Sequence, residues 1–169
     1  MATHSQEDKH RVYIDATIPS YLVSNPSQVP KTAERQRITQ AFWEDTRFEF
    51  ILSDYVVDEI SVGNREQAAN RQRAVEGLTI VVAASLELDF ARLLVAEKAL
   101  PHNAFTDAVH IAVATTHNIH FLATWNFAHL ANSHTKPRIE QICRNAGYTP
   151  PRIDTPEVIL EVLSHVWRI

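Results

Sequence analysis

Residues 12–17, Val-Tyr-Ile-Asp-Ala-Thr, join a short β-favouring apolar run to an acidic residue. A carboxylate beside core-type residues is costly unless a metal, a partner or a proton compensates its charge. Two further acids have the same setting, Glu59 within residues 55–60 and Asp107 within residues 106–112. Three carboxylates at the edge of the apparent core therefore indicate a shared site for a divalent cation.

Strand patterns alternate with helical patterns outward from this stretch. The patterns predict strands at 12–14, 48–52, 78–83 and 119–124. They predict helices over about 32–47, 54–62, 64–76, 85–99, 103–116, 136–145 and 156–166. The expected N-terminal caps are Ser53, Asn64, Ser85 and Thr155. The alternation implies crossover connections, a parallel sheet and one α/β domain.

The length of 169 residues suits a single domain, predicted at 11–169 after a loose polar leader at 1–10. The leader does not resemble a secretion signal, and no apolar run approaches the roughly 20 residues that span a bilayer. Cys143 is the only cysteine, which excludes a disulfide framework and a cysteine-rich zinc site. We therefore expect a reducing, cytoplasmic setting.

The charge balance restricts how the protein can bind nucleic acid. Sixteen Lys and Arg residues against twenty Asp and Glu residues give a net charge of −4, and no basic arm is present. This argues against binding by bulk electrostatics alone. It does not exclude a nuclease, because bound metal neutralises the catalytic carboxylates of such an enzyme.

Sites in open parallel sheets form beyond the carboxyl ends of the strands, where the strand order switches. Asp15 leaves the first predicted strand at such an end, Glu59 follows the second strand, and Asp107 begins the helix before the fourth. If the first strand is central, the three acids can converge. Hard oxygen ligands favour Mg²⁺ or Mn²⁺, and such a site suits phosphodiester hydrolysis. No phosphate-binding glycine loop, serine-nucleophile or zinc-protease motif is present.

Four short motifs occur in order between Arg11 and Ala131. They are Asp-Ala-Thr at 15–17, Glu-Ile at 59–60, Thr-Asp-Ala-Val-His-Ile-Ala at 106–112 and Phe-Leu-Ala-Thr-Trp-Asn at 121–126. Together they resemble the PIN-domain ribonucleases, particularly the VapC-type toxins of toxin–antitoxin pairs. The resemblance implies a Rossmann-like, three-layer α/β/α PIN fold with a central parallel sheet.

The same resemblance implies roles for individual residues. Asp15, Glu59 and Asp107 would bind Mg²⁺ or Mn²⁺ and catalyse endonucleolytic cleavage of RNA. Thr17 would support Asp15 or a water on the metal, and Asn126 would orient such a water or a phosphate. The implied partners are an RNA substrate, a small antitoxin protein and a second copy of the chain in a homodimer, with no membrane.

The chain departs from the family pattern after Thr124, which is expected to support the site. The family often has an acid at the position of Asn126 and another three residues later, where this chain has His129. Asn126 supplies no charge, so the sequence is compatible with a site for one metal ion or for two. His129 either compensates as a ligand or proton carrier, or packs near Trp125.

Other readings stay open from the residues alone. The second hypothesis is a PIN-like module, catalytically weakened by Asn126 and His129, that binds RNA or protein without turnover. A phosphatase with Asp15 as nucleophile is disfavoured, because Thr17 occupies the position of its second acid. His110 either faces the site or packs in the core. Four basic residues either contact RNA or an antitoxin or form a solvated face, namely Lys31, Arg35, Arg37 and Arg47.

Overall fold

The structure is a computed structural model that describes residues 8–166. Its strands are β1 (His10–Ile14), β2 (Phe48–Ser53), β3 (Thr79–Val81), β4 (Phe121–Ala123) and β5 (Arg152–Asp154). Its α-helices are α1 (Thr17–Val23), α2 (Pro30–Glu44), α3 (Asp54–Ile60), α4 (Arg65–Ala74), α5 (Ser85–Ala96), α6 (Phe105–Thr116), α7 (Lys136–Asn145) and α8 (Pro156–Val166). Residues 1–7 of the predicted leader and 167–169 of the predicted domain lie outside the described residues.

The central strand of the sheet is β1. The five strands have the order β3-β2-β1-β4-β5, and every neighbouring pair is parallel. Val12 lies opposite Phe50 of β2 and Phe121 of β4. Val12, Tyr13 and Ile14 are fully buried, as expected for a parallel strand that helices cover on both faces.

The strand order places helices on both sides of the sheet. The chain moves from β1 to β2 and β3 in one direction, and then crosses to β4 and β5 in the other. With right-handed crossovers, α1–α4 cover one face and α5–α7 cover the opposite face. Accordingly, α1 packs against α2 and α4, whereas α5 packs against α6. The three-layer α/β/α fold with a central parallel sheet is thus confirmed.

The strand order also fixes where a site can form. It reverses between β1 and β4, and parallel strands leave a crevice at their carboxyl ends where this happens. Asp15 directly follows β1, and Thr124 directly follows β4. The expectation that the first strand is central is therefore confirmed, and Asp15 stands at the switch point.

Several local predictions need correction. The fifth strand, β5, was not predicted, and α2 ends at Glu44 rather than near Arg47. Ser85 is the first residue of α5 rather than its cap, which is Ala84. Ser53 occupies the N-cap position of α3, but its side chain makes no capping hydrogen bond.

Two predicted caps are confirmed. The Asn64 side chain accepts a hydrogen bond from the Gln67 backbone N–H at 3.1 Å. The Thr155 hydroxyl accepts one from the Val158 N–H at 3.4 Å. Within residues 8–166, no helix has the length and apolar character needed to cross a membrane.

Candidate functional site

Asp15 lies in a cradle of hydroxyl and amide donors. Its Oδ1 accepts hydrogen bonds from the Thr17 hydroxyl and from the Thr17 N–H at 3.0 Å, and its Oδ2 accepts one from the Thr124 hydroxyl at 2.5 Å. Only 3% of Asp15 is exposed. Burial raises the pKa of this carboxyl, and the bonds from Thr124 and Thr17 offset that rise only in part.

The two threonines tie the cradle to the chain beyond β4. The Thr17 hydroxyl accepts a hydrogen bond from the Trp125 N–H at 2.9 Å, and the Thr124 hydroxyl accepts one from the Asn126 N–H at 2.9 Å. Each hydroxyl therefore has one donor and donates to Asp15, so its rotation is fixed. This arrangement holds the Asp15 carboxylate in a single orientation.

A buried chain of hydrogen bonds runs from β2 to Glu59. The Tyr13 hydroxyl lies 2.7 Å from Ser53 Oγ and 2.7 Å from His110 Nδ1. On the other side of the imidazole, His110 Nε2 lies 2.6 Å from Glu59 Oε1. His110 is only 1% exposed, so both of its ring nitrogens are satisfied inside the protein.

One direction of donation satisfies this whole chain with a neutral imidazole. A carboxylate only accepts, so His110 Nε2–H donates to Glu59, and Nδ1 accepts from the Tyr13 hydroxyl. The Tyr13 oxygen then accepts from Ser53. Burial raises the pKa of Tyr13 well above its usual value, so its hydroxyl remains a donor.

Asp107 lies in the first turn of α6, one helical turn before His110. Burial raises the pKa of its carboxyl. When protonated, His110 and His129 would lower that pKa, and Glu59 raises it, so these side chains lie within electrostatic reach of Asp107. The fold thus brings Glu59, Asp107 and His110 together, and a protonated His110 would lower the pKa of Asp15 as well.

The side-chain oxygen of Asn126 is hydrogen-bonded within its own loop. Asn126 Oδ1 accepts hydrogen bonds from the Ala128 N–H at 3.1 Å and the His129 N–H at 3.2 Å. The amide NH₂ group of Asn126 faces Asp107 and lowers the pKa of that carboxyl. The amide is therefore a donor towards the acids, and its oxygen fixes the turn that carries His129.

The donor set fits a hard divalent cation in charge and ligand type. In the described part of the chain, no Lys or Arg forms an ion pair with Asp15, Glu59 or Asp107. Carboxylate oxygens that burial leaves undercompensated are the ligands that Mg²⁺ and Mn²⁺ prefer.

The placement of the three acidic side chains fits such a cation less completely than their charge does. As the side chains stand, residues 8–166 contain no group of three or more His, Cys, Asp or Glu side chains placed to hold a metal ion. Asp15 is held by three hydrogen bonds, whereas the Glu59 side chain is 37% exposed and bonded only to His110. Glu59 is thus held less firmly than Asp15, by one hydrogen bond to one of its two carboxylate oxygens.

The structure adds residues to which no sequence pattern assigned a site role. The sequence predicted Tyr13 as a core residue and Ser53 as a helix cap. In the structure these two side chains form the inner end of the hydrogen-bond chain that reaches Glu59. The three-residue spacing of Asp107 and His110 on one helix was the only available signal for His110. Of the other histidines, His117 Nε2 contacts Glu87 Oε1 at 3.0 Å, away from the three acids.

Comparisons with known proteins bear on the fold. No family model and no curated protein matches this sequence. The crystal structure of VapC20 from Mycobacterium tuberculosis, a sarcin-ricin-loop-cleaving toxin, is similar with a TM-score of 0.55 and 14% identity, covering 69% of this chain and 91% of that chain. VapBC2 from Rickettsia felis, bound to a DNA fragment from their promoter, has a TM-score of 0.47 and 15% identity, covering 69% and 89%. The likeness to VapC20 confirms the PIN fold that the motifs predicted.

Proposed function

We propose that this protein is a metal-dependent endoribonuclease and the toxin of a toxin–antitoxin pair. The observation that carries the proposal is the acid set at the switch point between β1 and β4. Asp15 and Asp107 are carboxyls with raised pKa, and Glu59 is close to Asp107, with no Lys or Arg ion pair to any of them in the described residues. Perturbed acids in a crevice are typical of catalytic sites.

Asp15, Glu59 and Asp107 would hold Mg²⁺ or Mn²⁺. When bound, such an ion supplies charge stabilisation at the scissile phosphate and lowers the pKa of an attacking water. The chain supplies the orientation: Thr17 and Thr124 hold Asp15, and His110 fixes Glu59 through Nε2. Hydrogen bonds of this second layer set the direction and basicity of metal ligands.

Hydrolysis at this site leaves a 5′-phosphate and a 3′-hydroxyl on the RNA. The amide of Asn126 and the imidazole of His129 lie within electrostatic reach of Asp107, and there they could donate to a phosphate oxygen or carry a proton. We assign RNA as the substrate because of the motif pattern and the shared fold with VapC20, which cleaves the sarcin-ricin loop. A small antitoxin and a homodimer belong to the same proposal and rest on the motif pattern. The cytoplasmic setting rests on the single cysteine, Cys143.

The experiment compares neighbouring acids. Purified wild type and three variants, Glu59→Gln, Asp107→Asn and Asp58→Asn, are incubated with single-stranded RNA over a Mn²⁺ titration. Asp58 is exposed and adjacent to Glu59, so it is a matched control for loss of a carboxylate. We expect Glu59→Gln and Asp107→Asn to lose cleavage and Asp58→Asn to retain it. Full cleavage by the Asp107→Asn variant contradicts the proposal.

A second candidate is a PIN-like module that binds RNA or protein without turnover. It is favoured by the absence of a preformed three-ligand group in the described residues and by the engagement of Asn126 Oδ1 within its loop. Calorimetry with MnCl₂ separates the two candidates. Heat of binding that Asp107→Asn removes supports the nuclease, and no binding at millimolar Mn²⁺ supports the module.

A further inference from the structure

A cavity opens between α2 and the segment after β4. It has a volume of about 440 Å³, within the range of small-ligand sites. The residues that matter for its chemistry are Lys31, Glu34, Arg35, Trp125, Phe127 and Glu157. We call it the aromatic cavity. None of its lining residues belongs to the acid set described above.

The wall of the aromatic cavity presents an aromatic face to solvent. Phe127 is 48% exposed, and among the exposed large apolar side chains of residues 8–166 it is the aromatic one. The Arg35 guanidinium carbon lies 4.8 Å from the Phe127 ring centroid and 5.4 Å from that of Trp125. Aromatic rings and arginine planes are the groups on which unpaired nucleobases stack.

Hydrogen bonds hold two side chains of the wall, Trp125 and Arg35. Trp125 is 5% exposed, and its indole N–H donates to the Thr39 hydroxyl at 2.9 Å. Arg35 Nη1 donates to the Tyr21 hydroxyl at 3.2 Å. Fixed side chains lose little entropy when a ligand binds, so a flat ligand meets a prepared surface.

The aromatic cavity is linked directly to the Asp15 cradle. The Trp125 N–H donates to the Thr17 hydroxyl, which donates to Asp15. Phe127 follows two residues later. A nucleotide whose phosphate is at the acid set therefore has the cavity as a neighbour for one of its bases.

The charges of the lining select a base rather than a phosphate. Lys31 and Arg35 contribute two positive charges, and Glu34 and Glu157 contribute two negative charges, so these four residues carry no net charge. A lining without net charge gives a phosphate no net electrostatic attraction. A nucleobase is neutral, and its edge has both donors and acceptors that such a mixed lining can satisfy.

We propose that the aromatic cavity is a nucleobase subsite, in which one unpaired base of the RNA stacks on Phe127 and Arg35 next to the scissile bond. The proposal rests on the proposed ribonuclease function and assigns its substrate contact. Such a subsite would let a protein with a net charge of −4 and no basic arm bind single-stranded RNA.

The test measures RNA binding in EDTA, where a metal-dependent nuclease does not cleave. A fluorescein-labelled single-stranded oligoribonucleotide is compared with versions in which each position in turn is abasic. For wild type we expect one position at which loss of the base weakens binding by roughly 5- to 150-fold, from 1–3 kcal/mol of stacking per base. Phe127→Ala should weaken binding of the intact RNA by a similar factor and lose the sensitivity at that position.

Matched variants separate stacking from general damage. Phe127→Tyr keeps an aromatic face and should bind like wild type, and Leu86→Ala removes another exposed apolar side chain, at 58% exposure on α5, without effect. Arg35→Gln should weaken binding, whereas Arg37→Gln, an exposed arginine on the same helix, should not.

Two results would overturn the subsite. In the first, wild type binds the intact RNA and every abasic version with equal affinity. In the second, the Phe127→Ala variant binds the intact RNA with the same affinity as wild type. Base-selective binding together with no Mn²⁺-dependent cleavage would instead contradict only the ribonuclease proposal. Complete absence of RNA binding contradicts both.

Discussion

Two buried carboxylates in this protein have opposite electrostatic settings. Glu87, at the start of α5, accepts the Ala84 N–H at 2.9 Å and contacts His117 Nε2 at 3.0 Å. Burial raises the pKa of Glu87, but the backbone N–H groups of Glu87 and Ala84, with His117, outweigh it and hold the pKa below its usual value. Burial of Asp15 also raises its pKa, and there the hydrogen bonds of the two threonines do not compensate.

The difference separates an acid whose charge the folded chain compensates from acids whose charge it leaves undercompensated. The helix N-terminus and the imidazole stabilise the charge of Glu87, so the folded chain alone compensates it. The acid set of Asp15, Glu59 and Asp107 has hydroxyl donors, one imidazole and mutual repulsion, which leaves a demand for positive charge. Burial of a carboxylate is common to both, and compensation within the chain is what distinguishes them.

The largest expected effect tests this distinction through catalysis. We expect Asp15→Ala to reduce Mn²⁺-dependent RNA cleavage by at least roughly a thousandfold, because a lost metal ligand removes several kcal/mol of transition-state stabilisation. Glu87→Gln should cleave at the wild-type rate. Single-turnover rates at saturating Mn²⁺ provide the measurement, and equal losses in both variants would erase the distinction.

A smaller effect is expected from the hydrogen-bond chain behind Glu59. Tyr13→Phe removes the hydroxyl that joins Ser53 to His110 and keeps the ring. Loss of such a second-layer bond weakens metal binding by about tenfold. Calorimetric titration with MnCl₂ measures it, with Tyr148→Phe as the control in a tyrosine that packs against Phe90. Unchanged Mn²⁺ affinity would leave the chain with a packing role only.

The free energy of unfolding should depend on Glu87, the acid that the folded chain compensates. Glu87→Gln removes the charge that the helix N-terminus and His117 stabilise, and we expect a loss of about 1 kcal/mol in the free energy of unfolding. Asp89→Asn, an exposed acid of the same helix, should change it by less. Urea denaturation at neutral pH measures both, and a stabilised Glu87→Gln variant would contradict the assignment.

The smallest expected effect has the opposite sign. Asp107 has a raised pKa in the folded protein, so its ionised form opposes folding at neutral pH, and this opposition disappears as the pH falls and the carboxyl is protonated. Asp107→Asn should therefore raise the Tm by about 2 °C at neutral pH in EDTA, and this gain should vanish in acid. Mn²⁺ should raise the Tm of wild type but not of the variant. A lower Tm for the variant at neutral pH would show that Asp107 is already compensated.

Most of the fold was predictable because its signals are local. The apolar run at 12–14, the strand at 48–53 and the periodic patterns of α7 and α8 are readable from neighbouring residues alone. The strand β5 was not, because Arg152-Ile153-Asp154 contains one apolar residue after two prolines. Its strand conformation depends on pairing with β4, where Leu122 lies opposite Ile153.

The site was predictable in part, for the same physical reason. The acids follow strand ends, so their place is set by topology. The contact between Tyr13 and His110 joins residues 97 positions apart, and no local spacing encodes it. Arg35 over Phe127 likewise depends on how α2 packs beside the segment after β4. Ser53 satisfied a local capping rule, but the buried Tyr13 hydroxyl competed for its side chain.

The hydrogen bond from Thr124 to Asp15 spans 109 residues of sequence, and this has a consequence for synthesis on the ribosome. Chains emerge from the N-terminus, and β1 cannot gain its neighbour β4 until most of the polypeptide has been translated. Until then Asp15 has only the donors of Thr17, and the aromatic cavity has no Trp125 or Phe127. A nascent chain is therefore without a finished site while it remains close to ribosomal RNA.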